Sequence, residues 1–302
     1  MSNVRSLAAA VAVGGIAVSA AQAGVINSWN LIVLNNWNNN SQDVEGNAFC
    51  GGNFTGGSPT IAKNLSAGAW LNRDSLAVVG TTTVSNINLQ AGNFVHGGAV
   101  SGNVNRNGGG TVRQDNTLGA FRTAMASEMV TLSSSLRSLA ADSVATFPGG
   151  QPGAVRYNAN AGLDGIAVFS VNAGNVFNNN LIQQIELNVN GASQIVINVA
   201  GTTVNFNSGN MVGSWTSTFA RTNVIWNFFE ATTISLDRNF NGAILAPLAH
   251  LTNSTAIDGS VFVSSFNQSG EVHLPFYGGN VPTPGTFALV GMGALAMGRR
   301  RR

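Results

Sequence analysis

The chain has 302 residues, of which 44% are hydrophobic and only 9% charged, with 37 glycines and a single cysteine. That excludes a disordered chain, which needs low hydrophobicity and high charge, and it excludes an internal disulfide framework or cysteine-cluster metal site. The net charge of +2 is misleading, because Arg299, Arg300, Arg301 and Arg302 are the last four residues. Without them, ten basic residues face twelve acids, and no basic stripe remains to neutralise a row of phosphates. Nucleic acid is not an expected partner.

Residues 1–23 read as a secretory signal: Arg5, an apolar run over 7–18, then Ala21-Gln22-Ala23 before Gly24, the small-x-small pattern a signal peptidase accepts. From Gly24 onward, short apolar stretches alternate with Asn and Gly turns. Val44-Glu45-Gly46-Asn47-Ala48-Phe49-Cys50 is an early seven-residue pattern, and Val100-Ser101-Gly102-Asn103-Val104 is a weaker echo of it.

One strong helix signal follows. Leu118, Phe121, Met125, Met129, Leu132, Leu136 and Leu139 step by three or four residues and form an apolar stripe. Asp115, Asn116 and Thr117 are N-cap candidates and Phe147-Pro148-Gly149-Gly150 is the stop, so a helix is predicted over about 115–145. Arg122, Thr123, Ser127, Ser134 and Ser138 put the opposite face in water. Such a stripe reads as core packing rather than a cofactor site.

Beyond the helix, strands are predicted at 166–171, 184–189, 194–199, 223–228, 232–236 and 242–246. Phe240-Asn241-Gly242-Ala243-Ile244-Leu245-Ala246 aligns with Ile257-Asp258-Gly259-Ser260-Val261-Phe262-Val263, 17 residues later. That interval suits stacked turns of two or three short strands each. The expected fold is mainly β: a β-solenoid (β-helix) over residues 24–280, with one long α-helix packed along its side. Short N- and C-terminal hydrophobic helices complete it. A β-sandwich takes short strands equally well but leaves the echo without a reason.

The tail, residues 281–302, reads Val281-Pro282-Thr283-Pro284-Gly285, an apolar stretch over 286–298, and four arginines. As a helix the stretch reaches roughly 20 Å against a hydrocarbon core of about 30 Å. The arginine stems can snorkel, which suits a transient transmembrane hold during export. The tail resembles the PEP-CTERM sorting signal, with Thr283 where a glutamate is usual. The resemblance implies an exosortase-type protease as partner and delivery to the cell surface or extracellular matrix of a Gram-negative bacterium.

A second resemblance rests on Trp29-Asn30-Leu31-Ile32-Val33-Leu34, Asp43-Val44-Glu45-Gly46 and Gly51-Gly52-Asn53. It continues at Gly242-Ala243-Ile244-Leu245-Ala246-Pro247, Ile257-Asp258-Gly259-Ser260-Val261 and Glu271-Val272-His273. These are similar to the choice-of-anchor A domain of bacterial surface proteins, which implies an adhesive or matrix role without established catalysis. The arrangement of coils and long helix is also similar to ice-binding proteins of the discontinuous β-helix type.

The chemistry-bearing residues are sparse. His96, His250 and His273 lie too far apart for a local metal motif, so no metal and no cofactor is expected. No Gly-x-Ser-x-Gly nucleophile elbow occurs, and Cys50 within Ala48-Phe49-Cys50 reads as a small buried hydrophobe. Asp43 with Glu45, or Asp237 with Asp258, are the pairs a polysaccharide-cleaving β-helix enzyme would use. No lysine or arginine accompanies them to neutralise a uronate. Gly51-Gly52 and Gly108-Gly109-Gly110 are turns, and Trp29, Trp37, Trp70, Trp215 and Trp226 are sugar platforms only if exposed. Thr81-Thr82-Thr83, Thr202-Thr203 and Thr232-Thr233 do not repeat at the coil period, as an ice-binding array would. The leading expectation is therefore an exported, non-enzymatic surface protein that offers amides and hydroxyls to exopolysaccharide or other surface proteins. A polysaccharide-acting enzyme or an ice- or solid-surface-binding protein are the alternatives.

Overall fold

The structure is a computed structural model that describes residues 24–279. Among these, twenty-one strands join one sheet and four join a second. Pairing in the large sheet is parallel. In the small one, Val144–Thr146 runs antiparallel to Gly153–Asn158. The chain is mainly β, with a large parallel sheet, few helices and one long helix, and its architecture is β-helix-like.

Three ladders make up the large sheet. The first runs from Val112–Gln114 through Asn93–His96, Asp74–Val78 and Ala48–Cys50 to Leu31–Val33. It continues through the starts of Val261–Gln268 and Ala243–Asn253 to Val224–Asn227, Gln194–Ala200 and Ile166–Asn172. The chain therefore begins mid-stack, with its first turn held between the second and the last.

Along this ladder Leu31 and Val33 point into the main core, while Ile32 points outward against the long helix. Where the helix covers it, its strands are thus apolar on both faces, which is why they read as unbroken apolar runs. Phe49, Phe262, Leu245, Ile225 and Val196 share the helix-facing side.

The long helix spans Leu118–Arg137. Leu118, Met125, Met129, Leu132 and Leu136 are buried against the first ladder, with Phe121 and Leu139 packed beside them. The predicted stripe is the packing face. Asp115 Oδ1 accepts from Thr117 N at 2.8 Å, which satisfies the amide of the residue just before the helix.

The helix ends earlier than its sequence suggests, because residues 142–143 have other work. Asp142 and Ser143 amides donate to Val168 O, and Val168 N donates back to Asp142 Oδ1 at 2.8 Å, which covers the outer edge of the sheet's last strand. Arg122 also departs from its expected place in water: it donates to Leu34 O at 2.7 Å and Asn35 Oδ1 at 2.6 Å.

The 17-residue echo is the stacking register itself. Phe240 sits on Ile257, Asn241 on Asp258, and Ile244, Leu245 and Ala246 on Val261, Phe262 and Val263. Gly242 and Gly259 occupy positive φ (105° and 139°), and a Cβ at Gly259 would lie 2.7 Å from Gly242 O. Stacked corners leave no room for a side chain there. The Val44–Cys50 segment turns the same corner, since Val44 pairs with Val272 and Ala48 with Leu31. The weaker Val100 echo does not share it: Val100 and Ser101 pair with Thr82 and Thr83 on another ladder.

The expected N-terminal signal with Ala21 and Ala23, the sorting motif Val281, Pro282, Thr283, Pro284 and Gly285, the cluster Arg299, Arg300, Arg301 and Arg302, and both terminal hydrophobic helices lie outside the described residues. Among the described residues no helix is long and apolar enough to cross a membrane.

Candidate functional site

The second ladder differs from the first in what its outer side carries. It runs through the starts of Val100–Arg106 and Thr82–Leu89, whose ends pass to the third ladder with Asn88 opposite Thr60, then Phe54–Gly56, Trp37–Asn39, the ends of Val261–Gln268 and Ala243–Asn253, Thr233–Leu236 and Thr203–Phe206. Strand alternation sends Trp37, Phe54, Phe266, Leu251, Ile234 and Val204 into the core. Trp37 stacks on Phe54 at 4.1 Å.

Every second residue faces out, and in register these form a row. Ser101 pairs with Thr83, Thr83 with Thr55, and Thr55 with Asn38. The row continues from Asn38 to Asn267, Thr252, Ser235 and Asn205. Two residues earlier on each strand, a second row places Thr203 beside Thr233, His250 and Ser265. Beyond it Asn36 Oδ1 accepts from Asn53 N at 3.0 Å, and Asn53 Oδ1 from Thr81 N at 2.9 Å. Strand geometry spaces neighbours in a row by about 4.8 Å and the rows by about 6.6 Å, so eight strands make a face of about 34 Å. Neither row contains Lys, Arg, Asp or Glu.

The threonine pairs singled out in the sequence belong here. Thr203 lies on Thr233 although they are 30 residues apart, and Thr83 lies on Thr55 at a separation of 28. Turn length varies, so the register is regular where the spacing is not. Sequence reasoning missed the face for that reason. The side-chain bonds between neighbouring turns were the hidden signal: Thr55 to Asn38 and Asn267 to His250 both span 17 residues.

The third ladder carries the charges. Asp43–Val44 lies between Thr60–Ile61 and Val272–His273, with Ile257–Asp258 and Phe240–Asn241 beyond. Lys63 pairs with Asp43 and lies 3.7 Å from Glu271. His273 bonds Asp258 and Glu271, each at 2.8 Å, and Arg221 lies 3.4 Å from Asp258. Glu45 accepts from Leu274 N at 2.8 Å. The expectation that no cation accompanies these acids is corrected: Lys63 and Arg221 come from neighbouring turns. Asp237 accepts instead from Ser254 Oγ at 2.7 Å.

The hydrogen bond to Asp258 holds the His273 proton up to about 9, with Glu271 adding to it against burial. Burial pushes the Asp258 carboxyl up, but bonds from His273 and Asn239 and the Arg221 charge outweigh it and the net direction is down. A network this fully paired ties turns together. It joins the first turn of the chain to the last.

The other candidates fall into structural places. Cys50 is fully buried, and burial pushes its thiol up to about 12, which leaves no nucleophile. Trp29, Trp37, Trp215 and Trp226 are buried, and half-buried Trp70 stacks on Phe276 with Arg73 over its ring. His250 and His273 lie on different ladders. Among the described residues no three His, Cys, Asp or Glu side chains are placed to hold a metal ion. A groove of about 550 Å³ lies between the end of the long helix and Ile166 and Val168, bordered by Asp142 and Asp164. The acids of the third ladder do not line it.

No curated protein matches the sequence. A crystal structure of an ice-binding protein from the Antarctic ascomycete Antarctomyces psychrotrophicus is similar over 83% of this chain and 97% of its own, at 11% identity and a TM-score of 0.31. The family described as "Putative Ice-binding-like adhesive domain" matches residues 22–274. That is well over half of the chain, and the protein belongs to this family of ice-binding-like adhesive domains.

Proposed function

We propose that this is an exported, non-enzymatic adhesive whose second-ladder face lies against an ordered, uncharged surface, foremost a neutral polysaccharide of the cell surface or extracellular matrix. The carrying observation is the two in-register rows of hydroxyls and amides without a formal charge. The first ladder is covered by the helix and the third is occupied by its own ion pairs, which leaves the second free to bind. Membership of an adhesive family supports the surface-binding, non-enzymatic role and an extracellular or surface location.

In this reading the three ladders are faces of one β-solenoid. The leader is removed after Ala23, the tail is handled by an exosortase-type protease as in PEP-CTERM proteins, and the body works as a choice-of-anchor A domain. The mass and location of the mature protein in fractionated bacterial cells test the export steps; recovery with both ends intact in the inner membrane contradicts them.

Ice is the second reading, favoured by the paired threonines at 203 and 233 and at 55 and 83. Incubating the protein with insoluble cellulose, chitin and charged glycans decides among the readings. Retention on the neutral polymers without cleavage is expected. Chain cleavage abolished by Asp43→Ala or Asp258→Ala would establish an enzyme instead, and inhibition of ice recrystallisation at micromolar protein, without glycan retention, would establish the ice reading.

A further inference from the structure

One position in the two rows is titratable. His250 stands half-buried between Thr233 and Ser265, and its ring nitrogens make bonds of different kinds. Nδ1 lies 2.8 Å from Ser265 Oγ, a hydroxyl that can donate or accept. Nε2 lies 3.2 Å from Asn267 Nδ2, which can only donate. With the Asn267 amide in this orientation, the matching tautomer leaves Nε2 bare and puts the proton on Nδ1, where Ser265 Oγ accepts it. Asn267 belongs to the other row, opposite Thr252 and Asn38. The imidazole thus joins the two rows of the face.

A proton on Nε2 would set donor against donor at this contact. The bond survives only if the Asn267 amide makes a half-turn, so that Oδ1 accepts and Nδ2 is aimed elsewhere. One protonation then adds a positive charge to an uncharged face and reverses a donor–acceptor pair in the adjoining row. Placing an unpaired charge against a neutral partner is unfavourable, and neither row contains an acid. On the strand Thr233–Leu236 the facing residues are Thr233 and Ser235, on Val261–Gln268 they are Ser265 and Asn267, and on its own strand the outward neighbour is Thr252. The carboxylates at either end of the first of these strands are engaged: Glu230 accepts from Gly201 N at 2.6 Å and Asp237 from Ser254 Oγ at 2.7 Å.

We propose that His250 sets the pH range in which the second-ladder face binds: the neutral ring keeps the face matched to an uncharged surface, and the imidazolium releases it. This rests on the adhesive reading of that face and names its regulation.

The test measures binding of the full chain to insoluble cellulose at pH 7.5 and 5.5, beside the NMR signals of the Asn267 side-chain amide over the same range. Affinity about tenfold weaker at pH 5.5 is expected, the cost of an unpaired charge in the contact. In His250→Gln the ratio between the two pH values should fall to about one, with His250→Asn as the second variant should the first misfold. The Asn267 amide signals should move together with the His250 ring. Equal binding at both pH values, a pH dependence retained by both variants, or an Asn267 amide indifferent to the titration overturns the proposal and leaves the adhesive reading standing. Absence of binding at pH 7.5 overturns the cellulose form of that reading, and this regulation with it.

Discussion

His273 lies between two carboxylates, and the pair it makes with Asp258 joins the strand Val272–His273 to its neighbour Ile257–Asp258. Its proton is held from an ordinary 6.5 up to about 9 in the folded chain. A raised value means that the stabilisation is fully present below pH 6.5 and drains away as pH rises towards 9. Asp258 shifts the other way, so its share is present above its ordinary 3.8 and is lost as pH falls below that. Thermal stability is expected to be greatest between about pH 4 and 6.5 and to decline on the alkaline side. His273→Gln should flatten that decline, as thermal unfolding followed by circular dichroism would show. An unchanged alkaline limb in the variant would place the loss elsewhere. Asp43, Glu45, Asp258 and His273 were all visible as candidates in the sequence, but their grouping was not. Lys63 and Arg221 reach them from other turns, and no local spacing records that.

The long helix and the first ladder were the most legible elements. Seven apolar residues at helical spacing named the packing face, and four of the predicted strands, 166–171, 194–199, 223–228 and 242–246, lie on the ladder it covers. The helix end was less legible, because residues 142–143 are recruited to the edge of the strand Ile166–Asn172. Polar groups beneath the helix were not legible at all. Ser133 Oγ donates to Asn227 Oδ1 at 2.6 Å, and Asn227 Nδ2 donates to Ser133 O and Asn198 Oδ1, both at 2.8 Å. These buried bonds set the helix in one register over the apolar sheet, where side-chain packing alone would tolerate sliding. Met129→Ala is expected to cost about 2–5 kcal/mol through the cavity it leaves. Asn227→Ala should cost about 1–3 kcal/mol by orphaning its buried partners. Urea unfolding measures both, and a cost near zero for Asn227→Ala would show that the polar register is dispensable.

For the whole molecule, the decisive feature is a first turn seated between the second and the last. Trp37 stacks on Phe54 from the next turn and donates from Nε1 to Gln268 Oε1 at 3.1 Å in the final one. Trp37 therefore contacts both runs of the chain, beside the strand pairings that join them, and Trp37→Ala is expected to destabilise by about 3–5 kcal/mol. It should also separate unfolding into two transitions, one for each run, in scanning calorimetry; a single transition with a modest loss would contradict that linkage. The stacking of turns was legible from one seven-residue repeat. The order of the turns was not, since nothing local tells the first strand that its neighbour lies some 230 residues away.

The same stacking leaves one uncharged face, and a lysine scan addresses its role most directly. Thr233→Lys and Thr252→Lys place a cation in the two rows of the second ladder, while Asn88→Lys places one on the third. Binding of each to insoluble neutral glycan, with folding checked by circular dichroism, should fall at least about tenfold for the first two and stay near wild type for the third. Equal binding by all three, or loss confined to Asn88→Lys, would contradict the assignment of the second ladder as the adhesive face.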